Sequence, residues 1–162
     1  MKQLVRDVKI TGTGSYLPEK VVSNADLESK IDTNAEWIYA NLGIKERRIA
    51  AENQATSDLA AAAAMNAVAN AGLTVSDIDL IIVATATPDR LAPSTAAIVQ
   101  DKIKAYNAVA FDIAAVCSGF LYGMSVASQY IATSVYDNVL VIGADTFSRI
   151  TDWSRRDAVF FW

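Results

Sequence analysis

Ala108-Val109-Ala110-Phe111-Asp112-Ile113-Ala114-Ala115-Val116-Cys117-Ser118-Gly119 is the stretch on which the fold turns. Its first six residues are apolar except for Asp112, as in a strand covered on both faces. Small residues then lead to Ser118-Gly119, and a helix is expected from about Ser118 to Thr133. Strand therefore passes into helix across Cys117. The same order recurs on either side. Upstream, Leu80-Ile81-Ile82-Val83-Ala84 is a continuous apolar run, and Pro93-Ser94-Thr95 opens a helix through Lys104. Downstream, Val139-Leu140-Val141-Ile142-Gly143-Ala144 is a third buried run. Strand, helix, strand, helix, strand at roughly thirty residues per unit is βαβ architecture, so an α/β fold with a parallel or mixed sheet is expected.

Further upstream, Thr56-Ser57-Asp58 caps an alanine-rich helix that runs to about Asn70, with Gly72 as its stop. Val8-Lys9-Ile10 reads as a short strand entering the turn Thr11-Gly12-Thr13-Gly14-Ser15-Tyr16-Leu17-Pro18. Short helices are expected at Ser23–Glu28 and at Ala35-Glu36-Trp37-Ile38-Tyr39, the second ended by Gly43. Ala158-Val159-Phe160-Phe161-Trp162 reads as an apolar strand without an exit turn, from which a half-molecule is expected.

Of the 162 residues, 52% are apolar and 20% charged, ample for a core. The net charge is -4, and the basic residues are dispersed apart from Lys45-Glu46-Arg47-Arg48 and Arg155-Arg156. No basic stripe exists to neutralise phosphates, which argues against a nucleic-acid partner. No apolar run has bilayer length, and Met1–Asp7 carries no signal-peptide core, so a cytoplasmic location without a membrane partner is expected. The chain has one cysteine and no histidine. An internal disulfide and a histidine–cysteine metal cluster are excluded, and the commonest general base is missing.

Cys117 is the leading candidate for chemistry. A strand-to-helix turn offers free backbone N–H groups and the positive end of a helix dipole, which favour a thiolate and can hold an oxyanion. Ala114, Ala115, Ser118 and Gly119 leave room for a substrate arm. On spacing alone, a buried cysteine acting as a small apolar filler is the better reading. Gly12-Thr13-Gly14 has the start of a dinucleotide loop, but Leu17 holds the third glycine position, so a structural turn is the better reading. Trp37 suits either a core or a stacking surface. Arg155 and Arg156 suit either a solvated loop or a phosphate or ring site.

The run Ala110–Phe120 resembles the nucleophile turn of β-ketoacyl-ACP synthase III, in the thiolase-like condensing-enzyme superfamily. Further stretches match in order: Gly12–Pro18, Asn24–Leu27, Glu36-Trp37-Ile38, Gly43–Ala50, Ala84–Asp89 and Pro93-Ser94. The resemblance implies a thiolase-like fold of two similar halves. Residues 1–162 would form the N-terminal half, a five-stranded mixed sheet with flanking helices, and the C-terminal half would be absent. It implies transfer of an acyl group from acyl-CoA to Cys117, then condensation with malonyl-ACP in fatty acid biosynthesis. The partners implied are acyl-CoA, acyl carrier protein and a second copy, paired through the strand at Ala108–Ile113; no cofactor or metal is implied. Carried over by position, Trp37 and Arg156 resemble the pair that sandwiches the CoA adenine, and Thr33 a nearby CoA contact. Ala92 falls where the partner's acyl pocket is lined, and its small size suggests a longer or branched acyl chain.

Two departures stand out. Asn41 replaces an arginine that binds CoA, which suggests another acyl donor within the superfamily. The family's catalytic histidine and asparagine come from the second half, and Trp162 stands where a Gly-Asp-Gly segment would begin. The chain alone is therefore expected not to condense. A specialised acyltransferase and a non-catalytic dimerising half remain alternatives.

Overall fold

A computed structural model describes residues 5–160. Its elements run β1 (Lys20–Ser23), α1 (Asn24–Glu28), α2 (Ala35–Leu42), β2 (Glu46–Ile49), α3 (Thr56–Asn70), β3 (Leu80–Ala84), α4 (Thr95–Ile103), β4 (Val109–Ile113), α5 (Gly119–Ala132), β5 (Val139–Gly143) and α6 (Phe147–Ile150). Short 3-10 helices lie at Val75–Asp77, Val116–Ser118 and Arg156–Phe160. The chain forms two compact units. The larger takes the residues up to Tyr16 and Ala55–Asp145; the smaller takes Leu17–Gln54 and the residues from Thr146 on.

The larger unit is the α/β body. Its sheet has the order β4-β3-β5, all parallel, with Ile82 of β3 opposite Phe111 on one side and Val141 on the other. The strand period of two sends alternate side chains to opposite faces. Ile81, Val83 and Ile142 pack with Ala60 and Ala64 of α3 and Val99 of α4. Leu80 and Ile82 pack on the other face with Ala127 of α5. Only the central strand is buried along its whole length. The edge strands β4 and β5 are partly exposed, so the burial expected of all three runs holds for β3 alone.

Three strands stand where a five-stranded sheet was expected, and two features account for the difference. Val8–Ile10 runs without regular structure, and both Val8 and Ile10 are exposed. The segment is tied to helices at its two ends. The Arg6 N–H donates to the Ala132 carbonyl at 3.1 Å, and the Thr13 N–H to Asn70 Oδ1 at 2.9 Å. A cavity of about 600 Å³, with Val8, Ile10, Ala67, Met124, Leu140 and Ile142 in its walls, opens along the segment. Gly12 and Gly14 press directly on α3: a Cβ on Gly12 would lie 2.6 Å from the Ala67 carbonyl oxygen. Their use is close approach to a helix, not the turn that their spacing suggested.

The second feature is at Ala158–Phe160. This apolar run is not a strand but part of the 3-10 helix, closed by the Ala158 N–H on the Arg155 carbonyl at 3.1 Å. Phe161 and Trp162 of that expected strand lie outside the described residues. A short apolar run reads the same whether it is buried in a strand or in a turn.

The smaller unit holds β1 and β2 as an antiparallel pair, Val22 opposite Arg47. Its core is Val22, Leu27, Ile31, Ile38 and Val159, with Trp153 packed against it. Neither strand was legible, because Lys20-Val21-Val22-Ser23 and Glu46-Arg47-Arg48-Ile49 are only four residues each and show no usable alternation.

Candidate active site

Cys117 sits at the carboxyl end of the parallel sheet, where open α/β folds gather their ligand sites. β4 ends at Ile113 and α5 begins at Gly119, with Cys117 in the 3-10 turn between them. The Ser118 N–H closes that turn on the Ala115 carbonyl at 3.1 Å, and the Gly119 N–H closes it on Val116. Val116 has φ +46°, a left-handed conformation that is strained for a β-branched residue. The strain falls on the residue immediately before the thiol. Cys117 is exposed, which removes the reading of a buried filler.

Two glycines set the helix behind it. A Cβ on Gly119 would meet Ala84 Cβ at 3.1 Å, and one on Gly123 would meet Val141 Cγ1 at 2.9 Å. α5 therefore lies close on the end of β3 at Ala84 and on the middle of β5 at Val141, with its N-terminus at the cysteine turn. Val116, Phe120, Leu121 and Tyr122 around that turn are exposed, an unusual density of large apolar side chains.

The neighbouring loop is pinned by carboxylates that the sequence reading did not single out. Asp145 Oδ1 accepts four hydrogen bonds at the end of β3. They come from the Ala86 N–H at 2.8 Å, the Thr87 hydroxyl at 2.9 Å, and the Thr87 N–H and Thr85 hydroxyl at 3.1 Å. Asp112, inside β4, accepts the Thr95 and Ala96 N–H groups at 2.7 Å each and so caps α4. Asp89 accepts the Ser57 N–H and hydroxyl at the start of α3. Ala92 lies exposed in this loop, beside the fully exposed Leu91.

Thr33, Trp37 and Arg156 belong to the smaller unit. Thr33 is half-buried just before α2, and Asn34 Oδ1 caps that helix by accepting the Trp37 N–H at 2.9 Å. Trp37 is 41% exposed. The Arg156 guanidinium lies 6.0 Å from the centroid of its ring, so the structure brings these two together. A flat ring held between two planes at contact distance needs about 7 Å between them, roughly 1 Å more than is present. Asn41 turns its amide back onto the helix, donating to the Trp37 carbonyl at 2.9 Å. Among the described residues no group of three or more His, Cys, Asp or Glu side chains could hold a metal ion. None of their helices is long and apolar enough to cross a membrane.

Comparison with known proteins shows what the chain resembles, first in fold and then in sequence. The chain superposes on a priming β-ketosynthase from the R1128 polyketide pathway with a TM-score of 0.92 at 31% identity, covering 96% of this chain and 47% of that one. It superposes on 3-oxoacyl-[acyl-carrier-protein] synthase III from Aquifex aeolicus VF5 with a TM-score of 0.89 at 48% identity, covering 92% and 48%. The fold is thus the thiolase-like α/β fold of condensing enzymes. In sequence, the family model 3-oxoacyl-[acyl-carrier-protein (ACP)] synthase III matches residues 111–162. β-Ketoacyl-[acyl-carrier-protein] synthase III of Neisseria gonorrhoeae is 60% identical over 149 residues, 91% of this chain and 47% of the relative. The chain is therefore similar to the N-terminal half of β-ketoacyl-ACP synthase III, as its motifs implied, and it spans about half the length of the curated relatives it matches.

Proposed function

We propose that this chain is the nucleophile-bearing half of a β-ketoacyl-ACP synthase III-type condensing enzyme. The observation that carries the reading is the exposed Cys117, held on a strained turn between β4 and the N-terminus of α5. The Cys117 thiolate attacks the thioester carbonyl of an acyl-CoA. A new carbon–sulfur bond forms, the bond to CoA breaks, and CoA leaves as a thiolate that takes up a proton. The positive end of the α5 dipole favours the charge that develops on the carbonyl oxygen. Trp37 and Arg156, with Thr33 nearby, hold the adenine end of CoA, and Ala92 leaves space for a longer or branched chain in the pocket of a partner subunit. Acyl carrier protein delivers the malonyl group for the second step. That step draws on the histidine and asparagine that the resemblance assigns to the other half. The exposed apolar residues of the cysteine turn are the surface that the other half or a second copy would cover.

The test is intact-mass measurement after incubation with acetyl-CoA and with longer and branched acyl-CoA donors. One acyl adduct is expected, lost in Cys117→Ala. Absence of an adduct with every donor would sink the reading. A specialised donor is favoured by one observation: Asn41 offers CoA no charge and spends its amide on its own helix. A preference for a donor other than acetyl-CoA would decide for it.

A further inference from the structure

Arg47 is the largest fully buried side chain among the described residues, at 2% exposure, in a chain whose other arginines are not buried. Burying a guanidinium is costly unless its N–H groups are bound. Burial draws its pKa below the ordinary arginine value. Its Nη1 donates to Asn24 Oδ1 at 2.6 Å, and its Nη2 to the Val159 carbonyl at 2.7 Å. These are short, charge-assisted bonds to elements far apart in sequence.

Each acceptor leads to one member of the Trp37–Arg156 pair. Val159 lies in the 3-10 helix Arg156–Phe160, one turn from Arg156. Asn24 opens α1, which packs on α2, and its own amide donates to the Ile44 carbonyl at 2.7 Å just beyond the end of α2. Ile38, next to Trp37, and Val159 belong to one apolar cluster. Apolar contact alone leaves a short 3-10 helix free to slide or rotate. The forked guanidinium fixes it by a directed bond to a main-chain carbonyl.

We propose that Arg47 is a positioning residue that sets the spacing of Trp37 and Arg156, and hence the grip on the adenine end of CoA. The inference rests on the CoA reading given above and adds to it a residue that touches no ligand. The geometry is independent of the ligand, which allows the two claims to fail separately.

The experiment compares Arg47→Met, Arg47→Lys, Trp37→Ala and Arg156→Ala in the full chain, each checked for a cooperative melt. The first readout is the Trp37 indole resonance in nitrogen-15-labelled protein, assigned through Trp37→Ala. Arg47→Met and Arg156→Ala are expected to move it in the same direction, and Arg47→Lys, which keeps one donor, to move it less. The second readout is affinity for CoA against 4′-phosphopantetheine, which lacks the adenosine half. Arg47→Met is expected to weaken CoA about five- to tenfold, on the scale of a lost cation–π contact, and to leave phosphopantetheine unchanged. An unmoved indole in Arg47→Met overturns the positioning role. So does equal weakening of both ligands. A moved indole with CoA affinity unchanged in Trp37→Ala and Arg156→Ala overturns the CoA reading and leaves the geometry standing. A variant that does not melt cooperatively is replaced by Asn24→Leu, which removes the other end of the Nη1 bond and is held to the same outcomes.

Discussion

Asp145→Ala should unfasten the loop after β3 and cost the larger unit a measurable share of its stability. One carboxylate oxygen takes all four bonds: two from backbone N–H groups and two from hydroxyls, at 2.8 to 3.1 Å. A hydrogen bond to a charged group contributes about 1.5–3 kcal/mol. The four do not count equally. Ala86 is exposed and its N–H can turn to water, while Thr87 is buried and its N–H keeps the Thr85 hydroxyl at 3.1 Å. Two effective bonds at the lower end give a loss of roughly 3 kcal/mol. Each kcal/mol lowers the melting temperature of a chain this size by about 3 °C, so a drop of about 9 °C is expected. Asp145→Asn keeps an acceptor of the same shape and loses only the charge, about 1 kcal/mol or about 3 °C. Urea titration followed by far-ultraviolet circular dichroism gives the free energies, and a thermal scan gives the midpoints. An alanine variant within 1 kcal/mol of the parent would refute the accounting. An asparagine variant as damaged as the alanine would show that charge, not the bond pattern, holds the loop.

Three further outcomes are expected. Gly14→Ala would drive its Cβ against the Ala67 nitrogen and to 2.5 Å from the Ala63 carbonyl oxygen, both rigid helix backbone, and should cost about 2–3 kcal/mol in urea titration. Gly43→Ala, with nothing within 4 Å but φ +71°, should cost only about 1 kcal/mol. Asp112→Ala strips both bonded N–H groups from the buried start of α4 and should cost about 2 kcal/mol, read as lost amide protection confined first to that helix. The Ser23 hydroxyl and N–H hold the Asp26 carboxyl below its ordinary 3.8. A depressed carboxyl contributes its stability above the unfolded value and loses it as the pH falls through the folded one. The difference in melting temperature between the parent and Asp26→Asn should therefore be constant near neutrality and shrink below about pH 4.

Helices α1 to α5 and the three strands of the larger unit were legible because each is encoded locally. A cap, an apolar run and a stop stand in order at Thr56–Gly72, and Leu80–Ala84 is a continuous apolar run. Cys117 was legible as a site because strand and helix meet across it. What escaped depends on partners far away in the chain. Val8–Ile10 has the composition of a strand, but a strand exists only when an edge pairs with it, and this segment is tied to α3 and α5 instead. Ala158–Phe160 has the composition of a strand and folds into a 3-10 turn under Trp153 and Val22. No period in the sequence distinguishes those outcomes.

The same division explains why Arg47 escaped. Lys45-Glu46-Arg47-Arg48 stands out in the sequence only as a basic cluster, and Lys45, Glu46 and Arg48 remain partly or fully exposed. Strand geometry alone requires that one residue of the alternation face inward, but it does not name which. The inward position falls to Arg47 through its pairing with Val22, a core residue on the opposite strand. A guanidinium at that position then needs acceptors, and Asn24 and the Val159 carbonyl meet the need from 23 and 112 residues away. The buried charge therefore makes the docking of the last turn conditional on a directed bond, where an apolar residue at the same place would have allowed many packings. Arg156 inherits that restriction. The adenine grip proposed for Trp37 and Arg156 thus depends on a residue that the sequence shows only as one member of a basic cluster, and only the strand register reveals it.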